Sequence, residues 1–274
     1  MLLFDSNLRP IAPAPGNHQA INMTASPDTF AEHIFSRLRQ QNHPALVWYS
    51  ADGERIELSG RVFDNWVAKS ANFLVEQFDA APGEAVGVRA PLHWKSLAFA
   101  FAVLQTGATL AAPDRTELDL LFTDDPALAD ELDHNGETLV VTLPSLAFEF
   151  PGDLPAHLTD YSAEVRAFAD YFAPSPVPAD AIAVDSLSGS LTYLEFMDAV
   201  TARMAALQHD DAASPEAPLV ALMQAAAFGP RPDYRAVLVD AAAVWVLGGT
   251  VVLAGAGRDV TDRMRSDERI VLEL

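Results

Sequence analysis

The chain has 274 residues, no cysteine and a formal net charge of −21, with half its residues hydrophobic and a fifth charged. That length and apolar content support a sizeable core and exclude global disorder. The charge repels phosphate backbones and anionic lipid, so neither nucleic acid nor a membrane is expected as a partner, and the lack of thiols excludes disulfides, thiolate metal sites and cysteine nucleophiles.

Residues 1–25, rich in Pro, Asn and Gly, are expected to form an irregular arm ahead of one domain over 26–274. The opening "MLLFDSNLRP" lacks a basic start and its apolar run breaks at Asp5, unlike a signal peptide, so the expected location is cytoplasmic. "SPDTFAEHIFSRLRQQ" predicts a helix with Ser26 as N-cap, Pro27 in its first turn and an apolar face of Phe30, Ile34, Phe35 and Leu38. "PALVWYSADGERIELS" predicts a hairpin that turns at Asp52-Gly53. Ser59 is expected to cap the next helix, with Val62, Trp66, Phe73 and Leu74 on its buried side and Lys69 and Ser70 on its exposed one. A short buried strand in "PGEAVGVRAP" precedes the apolar helix "HWKSLAFAFAVLQTG", which Gly107 closes; His93 and Trp94 at its start read as core anchors. Strands at "ATLAAP", "LDLLFTDDP" and "ETLVVTLP" follow, with a short helix at "ALADELDHNG".

From about 144 to 178 the rhythm lapses into a proline-rich connector with one helix, "DYSAEVRAFADYF", in which Arg166 and Asp170 are expected to pair across a turn. Beyond it "AIAV", "YLEFMDAVTARMAALQ", "PLVALMQ", "PDYRAVLVDAAAVWVLGG" and "TVVLAGAG" alternate again. The apolar run from Ala236 approaches membrane-spanning length, but Asp240 and Gly248-Gly249 divide it into a buried helix, a turn and a buried strand. The alternation predicts an α/β fold of layered, mostly parallel sheets with helices on both faces.

The order of helix, "HPALVWYS", hairpin, "ELSGRVFDNWVAKSANFL" and "PGEAVGVRAPLHWKSLAFAFAVLQTGATLAA" resembles the opening of the adenylate-forming AMP-binding enzymes. That superfamily includes acyl-CoA synthetases, luciferases and peptide-synthetase adenylation domains. The features matched are the "PALV" strand, the helix after the hairpin, the "PGE" turn and the Gly107-Ala108 step, over about residues 30–112. "DYSAEVRAFADYFAPSPVP" and "TVVLAG" extend the similarity loosely to most of the chain. The resemblance implies the N-terminal subdomains of such an enzyme, in a truncated offshoot. The family's acidic adenine-side motif, ribose-binding aspartate and small C-terminal domain with its catalytic lysine would all lie beyond the matched portion.

In that family a Ser/Thr/Gly-rich run followed by Pro-Lys-Gly wraps the phosphates of ATP. Glycines let backbone N–H groups approach the phosphates, and the lysine adds charge. The corresponding stretch here is "DSLSGSLTYLEF", 185–196. It keeps Ser186, Ser188, Gly189 and Ser190 but has one glycine and neither the proline nor the lysine. Leu187 and Leu191 would lie against a polyanion, Asp185 would repel one, and 182–202 contain no Lys or Arg. The four residues therefore read as a vestigial loop not expected to bind ATP. The two lysines, Lys69 and Lys95, are expected at ordinary surface positions on helices. "GAGRDV" at 255–260 has Val260 where a dinucleotide loop needs its third glycine, and the histidines are scattered without metal-ligand spacing. Asp124-Asp125 and Asp210-Asp211 read as solvated turn and helix-end acids.

No catalytic residue, cofactor or metal is thus expected. The leading expectation is a non-catalytic pseudoenzyme or interaction domain that retains part of the synthetase scaffold. Two alternatives stay open: a part-enzyme of an acyl-adenylating ligase completed by a partner chain, and a binding protein for a small acyl or aromatic ligand. A homo-oligomer or protein partner is expected at the C-terminal third, where 236–254 would otherwise leave an apolar face.

Overall fold

The computed structural model describes residues 28–112, 114–131, 136–209 and 219–274. The expected arm over 1–25, the Ser26 cap and the Asp210-Asp211 pair lie outside the described residues.

Helix α1 (Asp28–Gln40) leads into the hairpin of β1 (Pro44–Tyr49) and β2 (Arg55–Ser59). Gly53 takes φ +100° in its turn, a left-handed conformation that costs a residue without Cβ little. Ser59 Oγ accepts from Val62 N at 3.3 Å and starts α2 (Gly60–Phe78). Next come β3 (Ala85–Val88), α3 (Trp94–Thr106), β4 (Thr109–Ala111), β5 (Leu120–Thr123), α4 (Ala127–Glu131) and β6 (Glu137–Val140). The connector contributes an element that its prolines concealed, the edge strand β7 (Leu158–Asp160), before α5 (Tyr161–Glu164). The second alternating stretch supplies β8 (Ile182–Val184), β9 (Leu191–Thr192), α6 (Tyr193–His209), β10 (Val220–Gln224) and α7 (Ala225–Phe228). It ends with α8 (Tyr234–Val246), β11 (Thr250–Ala254), α9 (Asp262–Asp267) and β12 (Leu272–Glu273).

Two sheets result. One has five strands in the order β12-β10-β11-β1-β2, and the other seven in the order β7-β6-β5-β3-β4-β8-β9. Every pairing is parallel except the hairpins β1–β2 and β8–β9. This is the layered, mostly parallel α/β architecture that the alternation predicts. β1 lies parallel to β11, with Leu46 opposite Val251 and Trp48 opposite Leu253, so the two ends of the described chain close one sheet.

The core lies in the helical layer. All thirteen residues of α3 are buried, and α8 is buried along most of its length. Phe99 stacks on Phe122 of β5 with ring centroids 3.9 Å apart, while Phe101 meets Phe35 of α1 at 5.8 Å. Trp245 of α8 lies 4.9 Å from Phe63 and 5.2 Å from Phe101, and its Nε1–H donates to Ala45 O at 2.8 Å. The alternate side chains of β1 serve two cores. Leu46 and Trp48 face this helical layer, while Val47 and Tyr49 join Leu222, Val252 and Met264 of α9 on the far side.

Several positions differ from the sequence expectation. Most of the segment 236–254 is interior, because α8 packs against α1, α3 and α6 and β11 is a central strand, while Ala236 at its start is exposed. Asp240 interrupts that run to meet Arg203 of α6 at 2.5 Å. Ser70 is fully buried, where its Oγ bonds Trp66 O and the Tyr161 hydroxyl, whereas Val62 is 42% exposed. The helix holding Arg166 stops at a 3-10 turn, so Arg166 stacks over the Phe148 ring at 4.3 Å instead of reaching Asp170. Among the described residues no helix is long and apolar enough to cross a membrane, and no group of acidic and histidine side chains is arranged to hold a metal ion.

Helix α2 begins flush against α1. A Cβ on Gly60 would fall 1.7 Å from Leu38 O, a backbone atom that cannot swing away. Gly60→Ala is expected to destabilise the fold by roughly 2–3 kcal/mol, read as a lower midpoint in thermal unfolding; an unchanged midpoint would contradict this packing.

Candidate functional site

The loop between β8 and β9 sits at the carboxyl end of a parallel sheet, the usual place for a ligand in such folds. Its strand and helix fall where expected, but the turn is the tip of an antiparallel hairpin, with Val184 opposite Leu191. Its polar groups are turned on one another. Ser186 Oγ accepts from Ser188 N at 3.2 Å and donates to Gly189 O at 2.9 Å. Gly189 N donates to Ser186 O at 3.0 Å, and Leu187 N donates to Asp233 Oδ2 at 3.2 Å. The N–H groups of Leu187, Ser188 and Gly189, which an anion would need, already have acceptors. Ser190 Oγ donates to Asp185 Oδ1 at 2.9 Å. Leu187 is 63% exposed at the tip, and Leu191 packs into the core.

The start of α6 is closed in the same way. Thr192 Oγ1 accepts from Glu195 N at 3.2 Å, while Glu195 Oε2 accepts from Thr192 N at 2.8 Å. This capping box places a carboxylate at the positive end of the helix dipole, where a phosphate would otherwise be favoured. The bonds from Thr192 hold the Glu195 carboxyl below its usual range. The T-x-x-E spacing of 192–195 is the sequence signal that marks a helix start rather than a phosphate loop.

The tertiary structure also brings cations to a segment that has none of its own. Arg235, in the first turn of α8, donates through Nη1 to Ser188 O at 3.2 Å, Ser188 Oγ at 3.2 Å and Gly189 O at 3.0 Å. Arg115 Nη1 lies 3.4 Å from Asp185 Oδ2. Arg89, directly after β3 and only 4% exposed, donates to Arg115 O. Burial first, and then the nearby Arg231, lower its pKa from the ordinary guanidinium value. Arg235 and Arg115 are thus spent on the loop's own carbonyls and carboxylate. Sequence reading missed both, because they join the chain 47 and 70 residues away from their loop partners.

A second polar cluster joins the β1–β2 hairpin to the segment after β6. Lys95 is buried at 5% exposure, not on the surface. Its Nζ donates to Thr142 O at 2.6 Å and Pro144 O at 2.9 Å. Glu54 Oε2 accepts from Ser145 Oγ at 2.6 Å and from Trp48 Nε1 at 3.3 Å, and Ser145 Oγ accepts from Trp94 Nε1 at 2.9 Å. Lys69 likewise is not free: its ammonium caps the carbonyls of Arg166 and Phe168. His93 and Trp94 are the core anchors expected of them, with His93 as the N-cap of α3.

No family model matches the sequence. A Mycobacterium tuberculosis protein that bears only a family label is 34% identical over 146 residues, which are 51% of this chain and 60% of that protein. Solved structures are more informative. The Brucella canis acyl-CoA synthetase superposes with a TM-score of 0.69 at 15% identity, covering 90% of this chain and 47% of its own. The chain carries the fold of the adenylate-forming enzymes. The Streptomyces lividans acetoacetyl-CoA synthetase matches with a TM-score of 0.61 at 17% identity over 82% of this chain and 38% of that one. A luciferase-like enzyme from the mealworm Zophobas morio matches with a TM-score of 0.60 at 13% identity over 90% and 58%. The chain therefore spans about half the length of the acyl-CoA synthetases it matches, and the adenylate-forming fold seen here is that of their N-terminal domains.

Lys95 gives this site a measurable pH signature. Burial pushes its pKa down to about 8, with Glu54 acting in the opposite direction. Between that value and the ordinary lysine range, the unfolded chain keeps a proton that the folded chain has released, so stability climbs with pH. Urea unfolding is expected to show a gain of about 1–2 kcal/mol between pH 7.5 and 9.5 that Lys95→Met abolishes. An identical slope in both proteins would refute the assignment.

Proposed function

We propose that this chain is a non-catalytic domain that retains the adenylate-forming scaffold and acts through binding. The observation that carries the reading is the closed state of the β8–β9 loop. Three successive backbone N–H groups are bonded to protein acceptors, the helix start is occupied by Glu195, and Arg235 is turned onto loop carbonyls. Binding a triphosphate there would require breaking these bonds and bringing a polyanion beside Asp185, Asp233 and Glu195. Phosphoryl-type transition states need cations aimed at the reacting oxygens, usually with Mg²⁺. Arg235 and Arg115 here neutralise the protein itself. The homo-oligomer or protein partner proposed at the C-terminal third would meet part of 236–254 or the elements beside it, α9 and β12.

With ATP, Mg²⁺ and a panel of carboxylic acids, the protein alone is expected to give no ATP–pyrophosphate exchange above background. Exchange that disappears in Ser188→Ala or Gly189→Ala would overturn the proposal. Exchange that arises only on adding a second chain would instead support a part-enzyme completed in trans.

A further inference from the structure

A cleft of about 260 Å³ opens at the carboxyl ends of β1 and β11, away from the β8–β9 loop residues. Ser50 and Ala51 follow β1, Gly255 and Ala256 follow β11, and the opposite wall is built by the segments after β3 and β6. Its apolar lining includes Trp48, Leu92, Leu143 and Pro144. Gly255 is part of the construction: a Cβ there would lie 2.7 Å from the Trp48 ring, so only glycine lets the chain pass this close to the indole.

One polar group in this wall has an unused hydrogen-bonding position. His93 is 4% exposed, with its ring centroid 4.3 Å from that of Trp48. As N-cap of α3, its Nδ1 accepts from Lys95 N at 3.1 Å. An acceptor nitrogen carries no proton, so the neutral ring holds its proton on Nε2. No acceptor among the described residues meets Nε2–H. Burial, then Lys95, pushes the His93 pKa down to about 3, so the ring stays neutral at physiological pH. The carboxylates near the mouth do not compete for this donor. Both Glu54 oxygens bind Ser145 and one also binds Trp48, while Asp52 is bonded by Ser50. Their charge makes the cleft unfavourable for an anion.

We infer that the cleft binds a small, neutral, planar ligand of the aromatic amide or heteroaromatic class. Its ring packs against Trp48, and its one acceptor takes the His93 Nε2–H. The volume suits a single ring with a short substituent. This inference is independent of whether the β8–β9 loop is inert.

Benzamide is the probe, with toluene as a ring lacking the acceptor and benzoate as the anionic counterpart. Binding is read on the full chain by tryptophan fluorescence and by the imidazole ¹⁵N signals of His93. Benzamide should bind saturably and shift the Nε2 resonance, and benzoate should bind at least about tenfold more weakly. His93→Asn keeps an N-capping side chain and should weaken benzamide about tenfold while leaving toluene unchanged. Trp48→Ala should lower affinity for both rings. Circular dichroism checks that each variant is folded, and the wild-type ¹⁵N shift needs no variant. No saturable benzamide signal, benzoate binding as tightly as benzamide, or benzamide binding indifferent to His93→Asn would each overturn the inference.

Discussion

Helix α3 has no exposed face, and the rest of the structure follows from that. A helix apolar on every side must be covered on every side. Here α2 lies along it, Phe122 of the seven-stranded sheet stacks on Phe99, and Trp245 of α8 closes over Phe101. The indole N–H of Trp245 then finds its acceptor at Ala45 O, 200 residues back, which ties α8 to the first strand. Covering α3 thus sets the two sheets on a common helical layer and brings their carboxyl ends into the same molecule. The β8–β9 loop and the Trp48 cleft both occur at such ends.

Several polar groups inside this layer are paired rather than excluded. Tyr193 donates to Leu104 O and to Ala108 O, anchoring α6 at the end of α3, and the Tyr161 hydroxyl shares a bond with Ser70. Glu54, Ser145 and two tryptophans form one network across three segments, and Lys95 beside it holds the backbone carbonyls of Thr142 and Pro144. An unpaired buried donor or acceptor costs on the order of 1–3 kcal/mol, so such networks fix which segments meet. In a chain this acidic, cations are scarce, and several serve as internal braces. Arg39 holds Asp64 at 2.9 Å, Arg203 holds Asp240 at 2.5 Å, and Arg235 holds the β8–β9 loop. The same economy leaves few positive groups for an anionic ligand.

Local signals were legible without the fold. Gly107 closes α3 at φ +89°, Ser59 caps α2 and Asp52-Gly53 turns the hairpin, because each depends on a few adjacent residues. The single glycine, the missing lysine and the crowding leucines of 185–196 were legible too. Lys95 was misplaced because its exposure is decided by residues 142–147 folding over it, and nothing in its own helix records that. Ser70 was misplaced for the same reason, since Tyr161 arrives from a connector 91 residues away.

Sequence by itself determined the alternation of strands and helices, the turns between them and the poverty of the loop in cations and glycine. Periodicity and capping act over one or two turns of chain, so they survive in a linear reading. Only the tertiary structure decided how the loop's poverty is resolved. Arg235, Arg115 and Asp233 reach it from distant elements and saturate its carbonyls, its carboxylate and one of its N–H groups. It also decided that most of the apolar run from Ala236 is interior and that His93, which caps α3 through Nδ1, lines the cleft. Hydrogen-bond partners separated by tens to hundreds of residues are chosen by packing geometry, and composition carries no record of that choice.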